Sequence, residues 1–492
     1  MTPGPRADIL DSSAAGGKVI RGSALRSGAY VGGILIGLLA TPLMVRHLGV
    51  VDFGSFVAIS SLIFIVNGLT EAGLFAISVR EYAQRDARGR EQLLRDMFGL
   101  RVVLTAVGGV LALSFALLAG YPSALVYGTM VASAGLVAMN LFGNYTLPLS
   151  AELRLGSIAG LELLRQSVVA AGVVVLVVLG SALDPFLALN GVAALVAIPV
   201  ASRICGPAVR MRFSFDLERW WTLLRAAIPY AAAAAVAVLY FRIGAVLMTV
   251  VSTDEQAGYY GLAFRIIEIV SAIPLLLVSS ALPILSRAAR DDAERLRYAL
   301  GRLFEVAVIV GVATAIPTAL GAPFAVRLLG GARFGPSADV LALLGVAMIG
   351  SFLVATWSYA LLTLRRHLEL LLANLSAFVV GVVLTLLLAP AHGAVGAALA
   401  VIGGELWLAA VYLVMLVRAE PQLRPPFGVI GPVTVATAVS VGPVLALGLP
   451  SLLAAGIAAT IYFAALWLLG AIPREIFEQL RRTPIADDEH LP

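Results

Sequence analysis

Five ionisable side chains lie inside long apolar runs of this sequence, where charged residues are uncommon. They are Arg242, Arg265, Glu268, Glu71 and Glu405. A charged residue at the centre of a membrane-spanning helix costs about 2.5 to 3.5 kcal/mol on the insertion scale, so each of these residues is expected to have a partner or a ligand. Guanidinium groups bind phosphates and carboxylates through paired hydrogen bonds. The two arginines therefore indicate a site for an anionic group within the membrane.

Each of these residues also has a purely structural interpretation. Arg265 and Glu268 are three positions apart, so they could neutralise each other on one helix face. Arg242 has no carboxylate within four residues along the chain, which favours a ligand role. Glu71 and Glu405 stand beside small residues and could form hydrogen bonds between packed helices. The alternative for both, and for Glu268, is a carboxylate that lines a cavity and couples transport to an ion.

Three aromatic residues complete the set of candidate site residues. Tyr240, Tyr259 and Trp357 could stack on sugar rings. Tyr and Trp near helix ends are, however, typical of interfacial anchors, and this structural interpretation is favoured here.

The chain shows no arrangement of residues that would support catalysis. Its four histidines, His47, His367, His392 and His490, are scattered, and Cys205 is the single cysteine. A disulfide within the chain is therefore impossible, and no thiolate metal site is indicated. A phosphate-binding loop of the nucleotide-hydrolase type is also absent from the sequence. We expect a protein that is not an enzyme and that uses no catalytic residue, metal or cofactor.

The composition requires lipid as the solvent for most of the chain. Of 492 residues, 60% are hydrophobic and 13% are charged, against about 25% charged residues in an average soluble domain. A membrane-spanning helix needs about 20 mostly apolar residues, and about fourteen such runs can be marked along the sequence. We therefore predict an all-α membrane protein with about 14 transmembrane helices.

The basic residues indicate how this protein is oriented. Of the 34 Lys and Arg residues, 29 fall on one side of the predicted spans, whereas the opposite side holds only Arg46, Arg327 and Arg333. Under the positive-inside rule the Arg-rich side is cytoplasmic, so both termini are expected in the cytoplasm. This placement explains the basic charge by membrane orientation, and nucleic acid is not an expected partner. The preference for Arg over Lys, with abundant Ala and Gly, favours a bacterium and hence its inner membrane.

Two short segments indicate an internal repeat. Residues 52–56 read Asp-Phe-Gly-Ser-Phe, and residues 256–260 read Gln-Ala-Gly-Tyr-Tyr. Each places a glycine and then an aromatic residue at the start of a predicted span, and the two spans are six helices apart. An even offset predicts two halves of parallel topology, as occurs in many transporters.

Several motifs resemble the opening and the second half of the polysaccharide flippases of the multidrug/oligosaccharidyl-lipid/polysaccharide (MOP) exporter superfamily. The motifs are Arg46-His47-Leu48-Gly49, Asp52-Phe53-Gly54, Glu71-Ala72-Gly73-Leu74, Leu239-Tyr240-Phe241-Arg242-Ile243, the run Ala257-Gly258-Tyr259-Tyr260-Gly261-Leu262-Ala263 and Leu328-Leu329-Gly330-Gly331-Ala332-Arg333-Phe334. The resemblance implies two six-helix lobes around a central cavity that opens to each side of the membrane in turn. It also implies export of a polyprenyl-diphosphate-linked saccharide from the inner to the outer leaflet, for cell-surface polysaccharide biosynthesis.

These expectations assign parts and partners to the chain. The expected partners are the lipid-linked glycan, membrane lipids and a glycan polymerase or glycosyltransferases, with Arg242 and Arg265 binding the diphosphate. The expected parts are a disordered cytoplasmic tail at 1–24, an N-lobe of helices 1 to 6 at 25–206, a cytoplasmic linker at 207–224, a C-lobe of helices 7 to 12 at 225–418, helices 13 and 14 at 427–472 and a cytoplasmic tail at 473–492.

Two other functions are compatible with the same sequence. A multidrug or organic-cation exporter of the same superfamily would need an acidic cavity, whereas the deep charges here include two arginines. A membrane scaffold for glycan-synthesis enzymes that transports nothing would use the Arg-rich segments 80–101 and 287–302 as docking surfaces. Transport of a lipid-linked saccharide remains the preferred interpretation.

Overall fold

A computed structural model describes residues 14–71, 73–206, 209, 212–278, 281, 285 and 293–471 of the chain. These residues form 14 α-helices and short 3-10 turns, with no β-strand among them. The helices are α1 Ala14–Glu71, α2 Leu74–Gln84, α3 Ala87–Leu118, α4 Ser123–Ala151, α5 Leu155–Val178, α6 Leu183–Cys205, α7 Leu217–Val251, α8 Asp254–Val270, α9 Ala293–Leu320, α10 Ala322–Gly330, α11 Ser337–Thr363, α12 His367–Ala419, α13 Ile430–Ala446 and α14 Ser451–Leu468. The prediction of an all-α membrane protein is confirmed.

Two of the helical rods are much longer than one membrane crossing. Within the described residues, 12 helical stretches are long and apolar enough to span a membrane. The two longest helices, α1 and α12, have 58 and 53 residues. Each long rod contains one glycine with positive φ, Gly49 at 73° and Gly393 at 56°, where the helix kinks. Since a crossing needs about 20 residues, each of these rods provides two. The count therefore corresponds to the predicted set of about fourteen.

The kink at Gly393 is stabilised by a side chain of another helix. The backbone amide of Ala394 donates to Gln256 Oε1 at 2.9 Å. A helix interruption frees backbone groups that need new partners in the membrane, and the Gln256 amide supplies one of them. Gly393 has φ 56°, a conformation that glycine adopts without the steric penalty of a side chain, so glycine is favoured at this position.

The second predicted span is interrupted near its C-terminal end. The apolar run at 54–79 reads as one helix, but α1 ends at Glu71 and α2 begins at Leu74. Gly73 separates them in a left-handed conformation, with φ 73° and ψ −25°. Glycine adopts this conformation without a steric penalty, so the sequence signal for the break was Gly73 itself.

Helix α1 begins at Ala14, inside the predicted tail at 1–24. Helix propagation adds a hydrogen bond per residue once the apolar part has formed, which favours this longer helix.

Glycines allow close approach of the helices that surround the candidate site. A Cβ on Gly54 would lie 2.6 Å from the backbone nitrogen of Gly258, so α1 and α8 touch through their backbones at these two glycines. Helices α4 and α6 cross in the same way, since a Cβ on Gly191 would lie 2.4 Å from the Cα of Gly135. Small residues at such crossings are typical of membrane helix packing. Gly54 and Gly258 are the glycines aligned in the predicted repeat.

Contacts within the chain define two compact units. The first contains Met1–Ile269, Val326–Val340 and His367–Gly404, and the second contains Val270–Ala325, Leu341–Arg366 and Glu405–Pro492. Their boundaries differ from those of the predicted lobes at 25–206 and 225–418, and the lobe division stays a prediction. The tail at 473–492, together with parts of the linker at 207–224 and of the 287–302 segment, lies outside the described residues.

Candidate functional site

Arg242, Glu268 and Arg265 meet in the first unit. Arg242 on α7 donates through Nη2 to Glu268 Oε1, and Arg265 donates through Nη1 to Glu268 Oε2 at 2.6 Å. One carboxylate therefore pairs with two guanidinium groups, and the three side chains carry a formal net charge of +1. The partner of Arg242 lies on the neighbouring helix α8, which the spacing along α7 alone did not reveal.

Aromatic rings surround the Arg242 guanidinium. Its Cζ lies 4.0 Å from the ring centroid of Phe64, 5.9 Å from that of Phe264 and 6.0 Å from that of Phe241. Cation–π contacts of this kind are stronger where water is excluded, and only 12% of the Arg242 side chain is exposed. Arg265 is more accessible, with 40% of its side chain exposed, although its Nε is buried and has no hydrogen-bond partner among the described residues. Arg265 is therefore the guanidinium more available to a ligand.

Phe64 also lines a cavity that lies wholly within the first unit. The cavity has a volume of about 510 Å³, including its open mouth. Most of its wall is apolar, with Phe56, Phe64 and Met139 among the larger side chains. Its polar wall residues are Ser60, Asn67 and Asn190. The Arg242 cluster is thus separated from the cavity by one phenyl ring.

Arg165 joins this cavity wall to a polar network that the sequence analysis missed. Arg165 Nη1 donates to Asn190 Oδ1 at 3.2 Å, and its Nη2 donates to Glu162 Oε1 at 2.5 Å. Gln166 Nε2 also donates to Glu162, at 3.1 Å. The sequence analysis counted Arg165 with the cytoplasmic arginines, whereas in the structure it lies inside α5 with 13% of its side chain exposed.

Glu71 belongs to a second buried network in the same unit. Arg101 Nη2 donates to Glu71 Oε2 at 2.8 Å, and Arg101 Nη1 donates to Asn144 Oδ1 at 2.8 Å. Arg101 is 1% exposed and Asn144 is 0% exposed. The sequence grouped Arg101 with the cytoplasmic arginines, yet α3 already begins at Ala87. Its isolation from the Arg-rich run that ends at Arg95 was the signal for a buried position.

Two other candidates have partners within the second unit. Glu405 lies in the second unit, where Ser351 Oγ donates to its Oε2 at 2.9 Å. Trp357 lies in the same unit, is 2% exposed and stacks on Phe304 with ring centroids 5.3 Å apart. Because protein atoms cover the Trp357 ring, it offers no free face for stacking on a sugar.

Tyr240 and Tyr259 both lie in the first unit. Tyr240 on α7 packs against glycines of α12, since a Cβ on Gly404 would lie 2.8 Å from its Oη and a Cβ on Gly381 would lie 3.5 Å from its ring. Tyr259 on α8 is half-buried. Neither tyrosine lines the cavity beside Phe64. Sugar stacking by these rings stays a prediction.

Comparison with known proteins places this arrangement in a family. The family model described as polysaccharide biosynthesis protein matches residues 19–289. No protein among curated sequences matches the chain.

Solved structures share the fold at low sequence identity. The lipid II flippase MurJ in an inward closed conformation has a TM-score of 0.76 and 14% identity, over 92% of this chain and 100% of that one. An inward-facing multidrug resistance MATE family transporter of the MOP superfamily has a TM-score of 0.64 and 16% identity, over 80% of this chain and 95% of that one. A MOP superfamily transporter from Pyrococcus furiosus, described as having a binding pocket of reverse polarity, has a TM-score of 0.55 and 14% identity, over 83% and 96%.

The family match covers more than half of the chain, and the structural matches extend over both compact units. The expected membership is therefore confirmed. This chain is a multi-pass membrane protein of the polysaccharide biosynthesis protein family, with the fold of the MOP superfamily transporters.

Proposed function

We propose that this protein is a flippase that moves a polyprenyl-diphosphate-linked saccharide from the inner to the outer leaflet of the bacterial inner membrane. The observation that carries the proposal is the cluster in which Arg242 and Arg265 share the single carboxylate of Glu268. Family membership supports polysaccharide biosynthesis as the process, and the lipid II flippase provides a precedent for such cargo on this fold.

The cluster has the charge and the donors that a diphosphate needs. A diphosphate in a medium of low dielectric constant requires guanidinium partners with paired hydrogen bonds. Each arginine here already holds one carboxylate oxygen, so a phosphate oxygen can replace Glu268 without leaving a guanidinium unpaired. This exchange also supplies a route for release, because Glu268 can reclaim both arginines when the cargo leaves. Glu268 therefore acts as an internal competitor of the diphosphate.

The charges do not favour an organic-cation exporter. An acidic pocket would be needed to bind a cation, whereas two carboxylates near the cavity, Glu162 and Glu268, are already paired with arginines. The reverse polarity described for the Pyrococcus furiosus transporter supports the view that this fold accommodates pockets of different charge.

The orientation remains part of the proposal. Removing Arg101 and Arg165 from the cytoplasmic count leaves the bias of the other arginines intact, so cytoplasmic termini are still favoured. Partnership with a glycan polymerase or glycosyltransferases stays a prediction.

The test is leaflet transfer of a fluorescent polyprenyl-diphosphate sugar in proteoliposomes. Loss of hydrogen bonds to a charged group costs about 1.5 to 3 kcal/mol, so Arg265→Ala should weaken binding of the glycolipid by about 10- to 100-fold. Arg85→Ala is the matched control, since Arg85 is 36% exposed and pairs with Glu81 away from the cavity. It should transfer glycolipid at the wild-type rate.

Glu268→Gln should strengthen glycolipid binding, whereas Arg265→Ala should weaken it. The amide cannot compete as an anion for the two arginines, so the diphosphate should bind more tightly and leave more slowly. Wild-type protein that transfers no glycolipid of a broad panel but exports cationic dyes would overturn the proposal and support the drug-exporter alternative.

A further inference from the structure

The cavity beside Phe64 contains more polar groups than an apolar ligand requires. Asn67 and Asn190 present carboxamides to a wall that is otherwise built mainly from Phe, Ile, Leu and Met side chains. A carboxamide offers both donors and an acceptor, which suits ligands with many hydroxyl groups. Ligand sites commonly combine apolar walls with a few placed polar groups, as this cavity does.

The orientation of the Asn190 carboxamide is fixed by its neighbour. A guanidinium only donates hydrogen bonds, so the atom of Asn190 that faces Arg165 Nη1 at 3.2 Å is the carbonyl oxygen. The Asn190 amide nitrogen is then the donor on the other side of the group. Glu162 in turn holds Arg165 through hydrogen bonds of 2.5 and 3.1 Å. Residues of α5 thus set the polarity of a side chain on α6 that lines the cavity.

The cavity also adjoins the proposed diphosphate site. Phe64 lines the cavity, and the Arg242 guanidinium lies 4.0 Å from the centroid of its ring. In a lipid-linked saccharide the first sugar is bonded directly to the diphosphate. A diphosphate on Arg242 and Arg265 therefore places this sugar beside the ring of Phe64. Asn67 lines the same cavity wall, about one helical turn after Phe64 along α1.

We propose that this cavity binds the sugar next to the diphosphate, with Asn67 and Asn190 as its hydrogen-bonding side chains and Arg165 as the residue that positions Asn190. The inference rests on the proposed flippase function and deepens it, because it assigns recognition of the saccharide to residues separate from those that hold the diphosphate. The arginine cluster would accept any lipid diphosphate, whereas the amides select among glycans.

Two soluble probes separate the two sites. One is citronellyl diphosphate, and the other is the same compound with a single sugar, tested as N-acetylhexosamine, hexose and deoxyhexose. Calorimetric titration of full-length protein in nanodiscs gives an affinity for each. The informative quantity is the ratio of the two affinities, because this ratio does not change when part of a variant sample is unfolded.

We expect at least one sugar-bearing probe to bind wild-type protein more tightly than the sugarless probe. Loss of one hydrogen-bonding side chain should reduce this preference by about tenfold in Asn67→Ala and Asn190→Ala, with unchanged affinity for citronellyl diphosphate. Arg165→Met should reduce the same ratio, since the Asn190 carboxamide loses its fixed orientation. Asn140→Ala is the matched control, because Asn140 donates to Thr105 at 2.7 Å and does not line the cavity.

Other outcomes would overturn the inference in distinguishable ways. Equal affinity of wild-type protein for both probes, or equal weakening of both probes by the Asn variants, would show that the cavity holds the isoprenoid or the diphosphate instead of the sugar. The flippase proposal would survive that result. Absence of binding by either probe would overturn both proposals together.

Discussion

Replacement of Arg101 by Met should destabilise this protein far more than replacement of a surface arginine. Arg101 is 1% exposed and holds both Glu71 and Asn144, each at 2.8 Å. Removing one partner of a buried pair leaves an uncompensated charge and typically costs about 3 to 5 kcal/mol. Because 22% of the Glu71 side chain is exposed, water can relieve part of this penalty, and we expect about 3 kcal/mol.

The measurement is unfolding of purified protein in mixed micelles by titration with dodecyl sulfate, followed by tryptophan fluorescence. Trp220 is 3% exposed and packs in the same hydrophobic cluster as Leu74, at the start of α2, so it reports on this region. Arg85→Met is the control and should cost only about 0.2 to 1 kcal/mol. The double variant Arg101→Met with Glu71→Leu should lose less stability than Arg101→Met alone, since no charge is then left unpaired. Equal losses for Arg101→Met and Arg85→Met would refute the reasoning.

Three further predictions follow from other contacts. A Cβ on Gly258 would lie 2.1 Å from the carbonyl oxygen of Val50, so Gly258→Ala should lower folded yield, measured by size-exclusion fluorescence, whereas Gly160→Ala, with nothing within 4 Å, should not. Arg46 Nη2 donates to the carbonyl oxygen of Leu328 at 2.7 Å, and Phe334 is buried six residues further along the chain. In a Cys205→Ser background with a cysteine in place of Phe334, Arg46→Ala should increase the alkylation rate of that cysteine. An unchanged rate would contradict this prediction. Hydrogen bonding from the Arg219 backbone amide lowers the pKa of Asp216, which caps the start of α7. The Asp216 carboxylate therefore stabilises α7 above the ordinary Asp pKa, and this stabilisation is lost as pH falls through the lowered pKa. The difference in Tm between wild type and Asp216→Ala should accordingly be present at pH 7 and vanish in acid, whereas a pH-independent difference would rule out this cause.

Much of the fold could be predicted from apolar runs and glycines. The kink at Gly393 falls between two predicted spans, and the rods that it joins are long enough to be recognised as two crossings. The break at Gly73 was missed because the run at 54–79 is apolar on average in spite of Glu71, so averaged hydropathy shows no interruption there. Hydropathy measures solvent preference, whereas this break depends on one backbone conformation.

The candidate site was predictable only in part. Arg242 and Glu268 attracted attention because they interrupt apolar runs, but their pairing joins residues of two helices and required the packing of α7 on α8. Arg101 and Arg165 were both counted with the cytoplasmic arginines. Glu71 is 30 positions from Arg101, and no local spacing rule reaches that far. The pair of Arg165 with Glu162, three positions apart, was within reach of such a rule, whereas its contact with Asn190, 25 positions away, was not.

The contact between Gly54 and Gly258 has an evolutionary consequence if the predicted repeat arose by duplication. In a symmetric dimer, a residue on the two-fold axis meets its own copy, so one mutation changes both sides of the contact at once. An ancestor of half the present length would have been restricted to glycine there by its own second copy. After fusion into one chain, a mutation changes only one side of the contact, because the two positions mutate independently. The two sides already differ, since a Cβ on Gly258 meets Val50 at 2.1 Å and a Cβ on Gly54 meets Gly258 at 2.6 Å. After such a fusion each glycine would be required by its own contact, and the ancestral symmetry would persist as two separate constraints.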